Sequence, residues 1–235
     1  MNRRQFKGRL AAAAGFLLVG ASAAPVAAQQ VREIGPAETA AALKAALEKG
    51  VHYAVNQLGR ADGFLGNEKV RIPLPGLLED AARLLRKTGQ RDRVDALVLS
   101  MNRAAEAAVP LARELLVSAV RGLTVQDAAR IVTGGETSVT DFFAGRTRTA
   151  LTAELLPVVS RATEKAELAT RYNKVVEKVT SFGLLNKQES RLEDHVTAKT
   201  LDGIYYMIGE QEKVIRRDPL AAGSKVISTV FGALR

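Results

Sequence analysis

Four polar side chains fall on one helical face near the end of the chain. They are His195, Lys199, Asp202 and Tyr206, spaced four, three and four residues apart. Residues at those spacings lie one above the other on a helix, which brings an imidazole, a cation, a carboxylate and a phenol within reach of one another. A carboxylate beside an imidazole raises its basicity, the arrangement of a general base. The same spacing also describes a solvated polar stripe, the ordinary outer face of an amphipathic helix. Tyr205 begins the apolar run Tyr205-Tyr206-Met207-Ile208. With Phe142 and Phe143 it either lines a pocket between helices or fills the core, as aromatic rings more often do.

Other polar groups cluster locally. Ser100-Met101-Asn102-Arg103 sets a hydroxyl, an amide and a guanidinium on one helical turn, and Asp141-Phe142-Phe143 sets a carboxylate beside two rings. Gly134-Gly135-Glu136-Thr137-Ser138 frees backbone N–H groups at a helix start, where an anion can bind. It lacks the Lys and the spacing of a P-loop, and a tight turn between helices accounts for it equally. The candidate ligand contacts are therefore Asn102, Arg103, Asp141, Phe142, His195, Asp202, Tyr205 and Tyr206. Two functions compete for them. One is a non-enzymatic module that binds a partner or an apolar ligand. The other is a hydrolase or transferase whose site is assembled from several helices, which requires these groups to converge in one cleft.

Several chemistries lack their residues. His52 and His195 are the only histidines, and no pair of His sits on one helix turn around a Glu, as a zincin requires. No Gly-x-Ser-x-Gly elbow surrounds any serine. Glu193 with Asp194, and Glu210 with Glu212, are one or two residues apart and so do not share a helix face. There is no Cys, which excludes disulfides, thiolate metal sites and a cysteine nucleophile. The expectation is no metal and no cofactor.

The elements that must hold these groups are helical. Ala, Leu, Glu, Lys and Arg dominate, and apolar residues recur at three and four. Pro36 suits the first helical position, where its missing N–H costs nothing, and Gly59 marks the end of that helix. Asp62-Gly63-Phe64-Leu65-Gly66-Asn67 reads as a loop pinned by Phe64 and Leu65. Val70-Arg71-Ile72-Pro73-Leu74-Pro75 is extended, because its prolines forbid a helix interior. A helix is expected over 76–88, with Leu77, Leu78, Ala81, Leu84 and Leu85 inward. The longest pattern, 92–122, counts Leu111 among its inward residues and should kink or break near Val109, ahead of Pro110. Thr124, with Asp127 three residues on, reads as the N-cap of a helix ending at Gly134-Gly135. Further helices are expected to start near Ser138, and over 147–168 (bent at Pro157), 169–182, 191–217 and 221–234, with a loop over 184–190.

The chain carries +9. Four of those charges, Arg3, Arg4, Lys7 and Arg9, stand in the first 28 residues with no acid, which leaves +5 on the rest. That remainder is interspersed with acids, as on a solvated helix face, and lacks the basic stripe and stacking aromatics of a nucleic-acid binder. The first 28 residues have the order of an export signal: a basic start, the apolar run Leu10–Ala21, and small residues up to Ala28. Arg3-Arg4-Gln5-Phe6-Lys7 resembles the twin-arginine signal, although Asn2 stands where that pattern prefers Ser or Thr. Removal after Ala28, or after Ala23, would deliver a periplasmic protein. The apolar run is shorter than the ~20 residues of a membrane span. The expected organisation is a signal over 1–28, a lead-in over 29–41 and one all-α domain over 42–232. Its architecture is an irregular bundle of about eight to ten helices with one short, proline-containing extended loop. Peripheral membrane contact through Val226, Ile227, Val230, Phe231 and Leu234 is the alternative to their packing in the core.

Taken together, five segments resemble a known bacterial family, domain of unknown function 4197. They are Asp62-Gly63-Phe64-Leu65; Ile72-Pro73-Leu74-Pro75; Ser100-Met101-Asn102-Arg103-Ala104-Ala105-Glu106; Gly134-Gly135-Glu136-Thr137-Ser138-Val139-Thr140-Asp141-Phe142-Phe143; and Leu201-Asp202-Gly203-Ile204-Tyr205-Tyr206-Met207-Ile208. The resemblance runs from about Ala42 to Phe231. It implies an exported, mostly helical envelope protein and no particular activity, so it assigns no catalytic residue. Members often resemble lipoproteins, and this chain, without Cys, departs from them there.

Overall fold

The structure, a computed structural model, describes residues 34–124, 126, 128–181 and 192–233. Residues 1–28, expected as an export signal, lie outside that range, as do Asp127, the expected 184–190 loop, Leu234 and the side chains of Leu77 and Ala81. Among the described residues there are nine α-helices and no strand. They are α1 (Pro36–Leu58), α2 (Gly76–Lys87), α3 (Arg91–Leu111), α4 (Arg113–Gly122), α5 (Ala128–Val132), α6 (Ser138–Lys165), α7 (Leu168–Ser181), α8 (Leu192–Arg217) and α9 (Lys225–Gly232). A single 3-10 turn, Leu220–Ala222, joins α8 to α9. The all-α bundle expected from periodicity is the fold that forms.

Among the described residues, α1, α3 and α6 each pack against six other helices. The buried residues of α3 include Val94, Leu97, Val98, Met101, Ala105 and Val109, and its neighbours are α1, α2, α4, α6, α7 and α8. α8 lies along both α1 and α6. α9 closes on α1 and buries Ile227, Val230 and Phe231, so three of the five side chains weighed for membrane contact form part of the core, and Val226 packs partly buried against it. Among the described residues no helix is long and apolar enough to cross a membrane.

The helix boundaries depart from the sequence reading at several points. Pro110 stays within α3, and the break comes at the single residue Ala112, between α3 and α4. Pro110 has no N–H to give the Glu106 carbonyl, but the ladder recovers where Ala112 N–H reaches Ala108 and Val109 oxygens at 3.1 Å each. Leu111, expected inward, turns to solvent beside this break and is 64% exposed. Leu84 is likewise outward. Pro157 lies inside a helix, with Leu155, Val158 and Val159 on both sides of it buried. Residues 138–165 form one helix where two were expected, because the chain runs on as helix from Phe143 to Thr147 and buries both. α5 is short and opens at Ala128, four residues beyond the cap expected at Thr124.

Candidate functional site

The extended segment over residues 71–75 is held by side chains from α3 and α8. Ile72 N–H donates to Asn102 Oδ1 at 2.9 Å, and Asn102 Nδ2 donates back to the Ile72 carbonyl at 3.0 Å and to the Val98 carbonyl at 2.8 Å. Asn102 is fully buried, so its amide substitutes for the partner a strand would have supplied. His195, half-buried on α8, approaches the next carbonyl, Pro73, with Nε2 at 2.9 Å. A carbonyl only accepts, so Nε2 carries the proton in this contact. Asn102 and His195 therefore do meet, but at the backbone of the loop, where both position it.

The preceding loop is anchored by Glu106. Its Oε1 accepts from the N–H groups of Phe64 and Leu65, both at 3.1 Å, and its Oε2 from Arg103 at 2.6 Å. Arg103 extends the chain of contacts to Asp62 at 2.8 Å. The Phe64 ring is buried on α8 at Gly203, where an added Cβ would lie 2.7 Å from the ring edge. At Gly63 an added Cβ would strike the Gln57 and Leu58 carbonyls at 2.6 and 2.5 Å. Both glycines permit approaches that no other residue would.

A second group lies on the α6–α8 seam. Asp202 accepts from Arg148 at 2.7 Å and from Lys199 at 3.2 Å. Burial pushes its carboxyl up, but the two cations outweigh burial and hold it below the usual range. The Arg148 guanidinium lies over the Tyr205 ring, 5.0 Å from its centroid, and Phe143 meets the same ring edge-on at 5.8 Å. Thr147 donates its one hydroxyl proton to the Phe143 carbonyl, so in the 3.1 Å contact between Thr147 and Tyr205 it is the phenol that donates. Burial, partly offset by Thr147, raises the Tyr205 pKa above its ordinary value of 10.0. Tyr206 points out to solvent.

The third group closes the N-terminus of α6. Thr137, its N-cap, makes no capping bond with its side chain, which instead donates to the exposed Asp141 at 3.0 Å. The capping acceptor is Glu212, reaching across from α8. Its oxygens accept from Val139 N–H at 3.1 Å, Thr140 N–H at 2.8 Å and the Thr140 hydroxyl at 2.7 Å. Arg216 neutralises it at 2.8 Å and also donates to the Val132 carbonyl and Ser138 hydroxyl, its guanidinium resting on the Phe231 ring. The turn weighed as an anion cradle thus faces an anion supplied by the protein itself. Phe142 is half-buried and carries Arg146 over its ring.

The eight candidates therefore separate into three groups and one exposed phenol. Among the described residues, no three His, Cys, Asp or Glu gather as a metal site. The two buried acids, Glu106 and Glu212, were not among the candidates. Each carried a signal, since each falls on an apolar stripe: Glu106 with Val98, Asn102 and Val109, and Glu212 with Ile204, Ile208 and Ile215. A carboxylate on a buried stripe must be paired.

One concave surface combines an apolar floor with charged groups at its edge. A groove of about 380 Å³ runs between α4 and α6. Leu115, Ala119, Leu123 and Leu151 form its apolar floor, with Arg146 and Glu154 on its rim. Both rim residues are exposed. Among the described residues Arg146 has no acidic partner, only the Phe142 ring, and Glu154 has no cation. A larger groove of about 700 Å³ between α3 and α7 is walled mostly by charged side chains of both signs, Arg93, Arg171 and Lys174 against Asp92, Glu167 and Glu177.

Residues 33–232 match the model of a family described as a protein of unknown function, DUF4197. No curated protein and no solved structure matches the chain.

Proposed function

The chain belongs to the DUF4197 family of proteins of unknown function, and from that premise we propose that it is a non-enzymatic, exported helical module that binds a partner or an apolar ligand in the α4–α6 groove. One observation carries the reading. The groups with chemical potential, Asn102, Glu106, His195, Asp202 and Glu212, direct their hydrogen bonds to the protein's own backbone and cations. The groove, by contrast, combines an apolar floor with a guanidinium and a carboxylate that have no counter-charge among the described residues. That is the composition of a binding surface, apolar with a few oriented polar groups.

The test is native mass spectrometry and solvent extraction of protein purified gently from envelope fractions, beside an Ala150→Trp variant. Ala150 lines the groove and is exposed, so the indole fills the groove and leaves the core alone. A bound species present with the parent protein and lost from the variant is the expected result. Equal recovery from both, or none from either, would remove the groove from the proposal. Export rests on the order of residues within Met1–Ala28. Fractionation followed by N-terminal sequencing should find the protein outside the cytosol, beginning at Gln29 or Ala24, and a cytosolic protein starting at Met1 would overturn it.

A further inference from the structure

Resting on the binding role just proposed, we infer that the occupant of the α4–α6 groove is an amphipathic helix of another protein, with one acidic and one basic side chain flanking its apolar face. The walls are two helices, each lining the groove over two turns. Leu115 and Ala119 stand four residues apart on one wall, with Leu123 just beyond the end of α4, and Thr147 and Leu151 stand four apart on the other. Side chains at that spacing leave grooves that accept the ridge of a third helix, read as anchors at i, i+4 and i+7.

The rim chooses between occupants. Arg146 and Glu154 are eight residues apart on α6, about 12 Å along its axis. Both are exposed and without counter-charge among the described residues. An acyl chain with an acidic head satisfies Arg146 and leaves Glu154 beside hydrocarbon. A guest helix with acid and base seven positions apart spans about 10.5 Å on one face and answers both. Because the guest can enter in either direction, the pattern that matters is one charge of each sign, not their order.

The probes are three designed helical peptides with one Leu/Ala face, differing only in their flanking pair: Glu and Lys, two Glu, or two Lys. They are titrated into isotope-labelled protein, with the backbone amides of Ala119, Ala150 and Leu151 as reporters. The Glu/Lys peptide should shift these amides and bind about threefold to tenfold tighter than either like-charged peptide, the range expected for two exposed ion pairs. The preference should shrink as salt screens the rim. Arg146→Glu should reverse the ranking in favour of the two-Lys peptide, and Ala150→Trp should abolish the shifts. Arg146 is exposed, so its variant keeps the test open if the tryptophan disturbs folding. Equal affinities for all three peptides, or shifts confined to other surfaces, would overturn the helix. Shifts with decanoate and none with any peptide would also overturn it, while leaving the broader binding role standing. Silence toward every probe, joined to purified protein that carries nothing, would end both.

Discussion

Oε1 of Glu106 lies 3.1 Å from the backbone nitrogen of Phe64, a hydrogen bond that spans 42 residues of chain and ties α3 to the loop after α1. The same oxygen takes the next N–H, that of Leu65. Glu106→Ala therefore strands two amide protons and should lower stability by about 2–4 kcal/mol, since each orphaned buried donor costs roughly 1–3. Glu106→Gln keeps an acceptor oxygen and should cost about 1 kcal/mol. Urea unfolding measures both. A loss in the alanine variant below about 0.5 kcal/mol, the size of an ordinary surface change, would mean the carboxylate is no anchor.

Glu212 and Arg216 should behave as one unit. Removing the carboxylate alone leaves a mostly buried guanidinium, 16% exposed, and uncaps α6, so Glu212→Ala should cost about 3–5 kcal/mol. A double-mutant cycle with Arg216→Ala should return a coupling of about 1–3 kcal/mol. Additive losses would show that the two residues act independently.

Gly203 should resist enlargement. A methyl group there meets the Phe64 ring at 2.7 Å, and overpacking of this kind costs about 1–3 kcal/mol. Thermal unfolding should show Gly203→Ala destabilised in the parent background and distinctly less so when Phe64 is already Leu. The same penalty in both backgrounds would point to a different neighbour.

Two groups on the α6–α8 seam bracket the pH range. Asp202 titrates below its ordinary 3.8 because Arg148 and Lys199 outweigh burial. A depressed folded value means its contribution is present above pH 3.8 and is lost as pH falls through the folded pKa. Tyr205 titrates above 10.0 because it is buried. A raised folded value means its contribution is present below pH 10 and is lost as pH rises through the folded pKa. Asp202→Asn should flatten the acid limb of the stability curve, with a small amplitude because the group is partly exposed. Tyr205→Phe should remove the last-rising part of the tyrosinate absorbance. A parent titration that ends at the same pH as the variant's would contradict the Tyr205 assignment.

Much of this fold was legible because it rests on period and punctuation. Apolar residues at three and four gave α1, α3 and α8, and Gly59 and the Ile72–Pro75 segment marked real ends. The division expected between Phe143 and Thr147 misled, because Gly145 reads as punctuation in the sequence, yet the helix passes through it and buries Phe143 and Thr147 on either side. Leu111 misled because the buried stripe of α3 runs on through Ala108 to Ala112, which leaves Leu111 on the solvent side. The site was less legible still. Asn102 was visible as a polar group, but its partner Ile72 lies 30 residues away. The partners of Glu212 lie 72 and 73 away. Spacing along one helix predicts neighbours within a turn, and these side chains act between helices.

The closure of α9 on α1 has a consequence for biosynthesis. The ribosome emits α1 first, at about 5–20 residues per second. Yet the surface of α1 that packs against α9 stays uncovered until α9 has left the exit tunnel. Lys49 likewise waits for the Ala222 carbonyl. A newly made chain thus keeps a greasy flank of α1 showing while everything between α1 and α9 emerges, and the body closes only when α9 arrives.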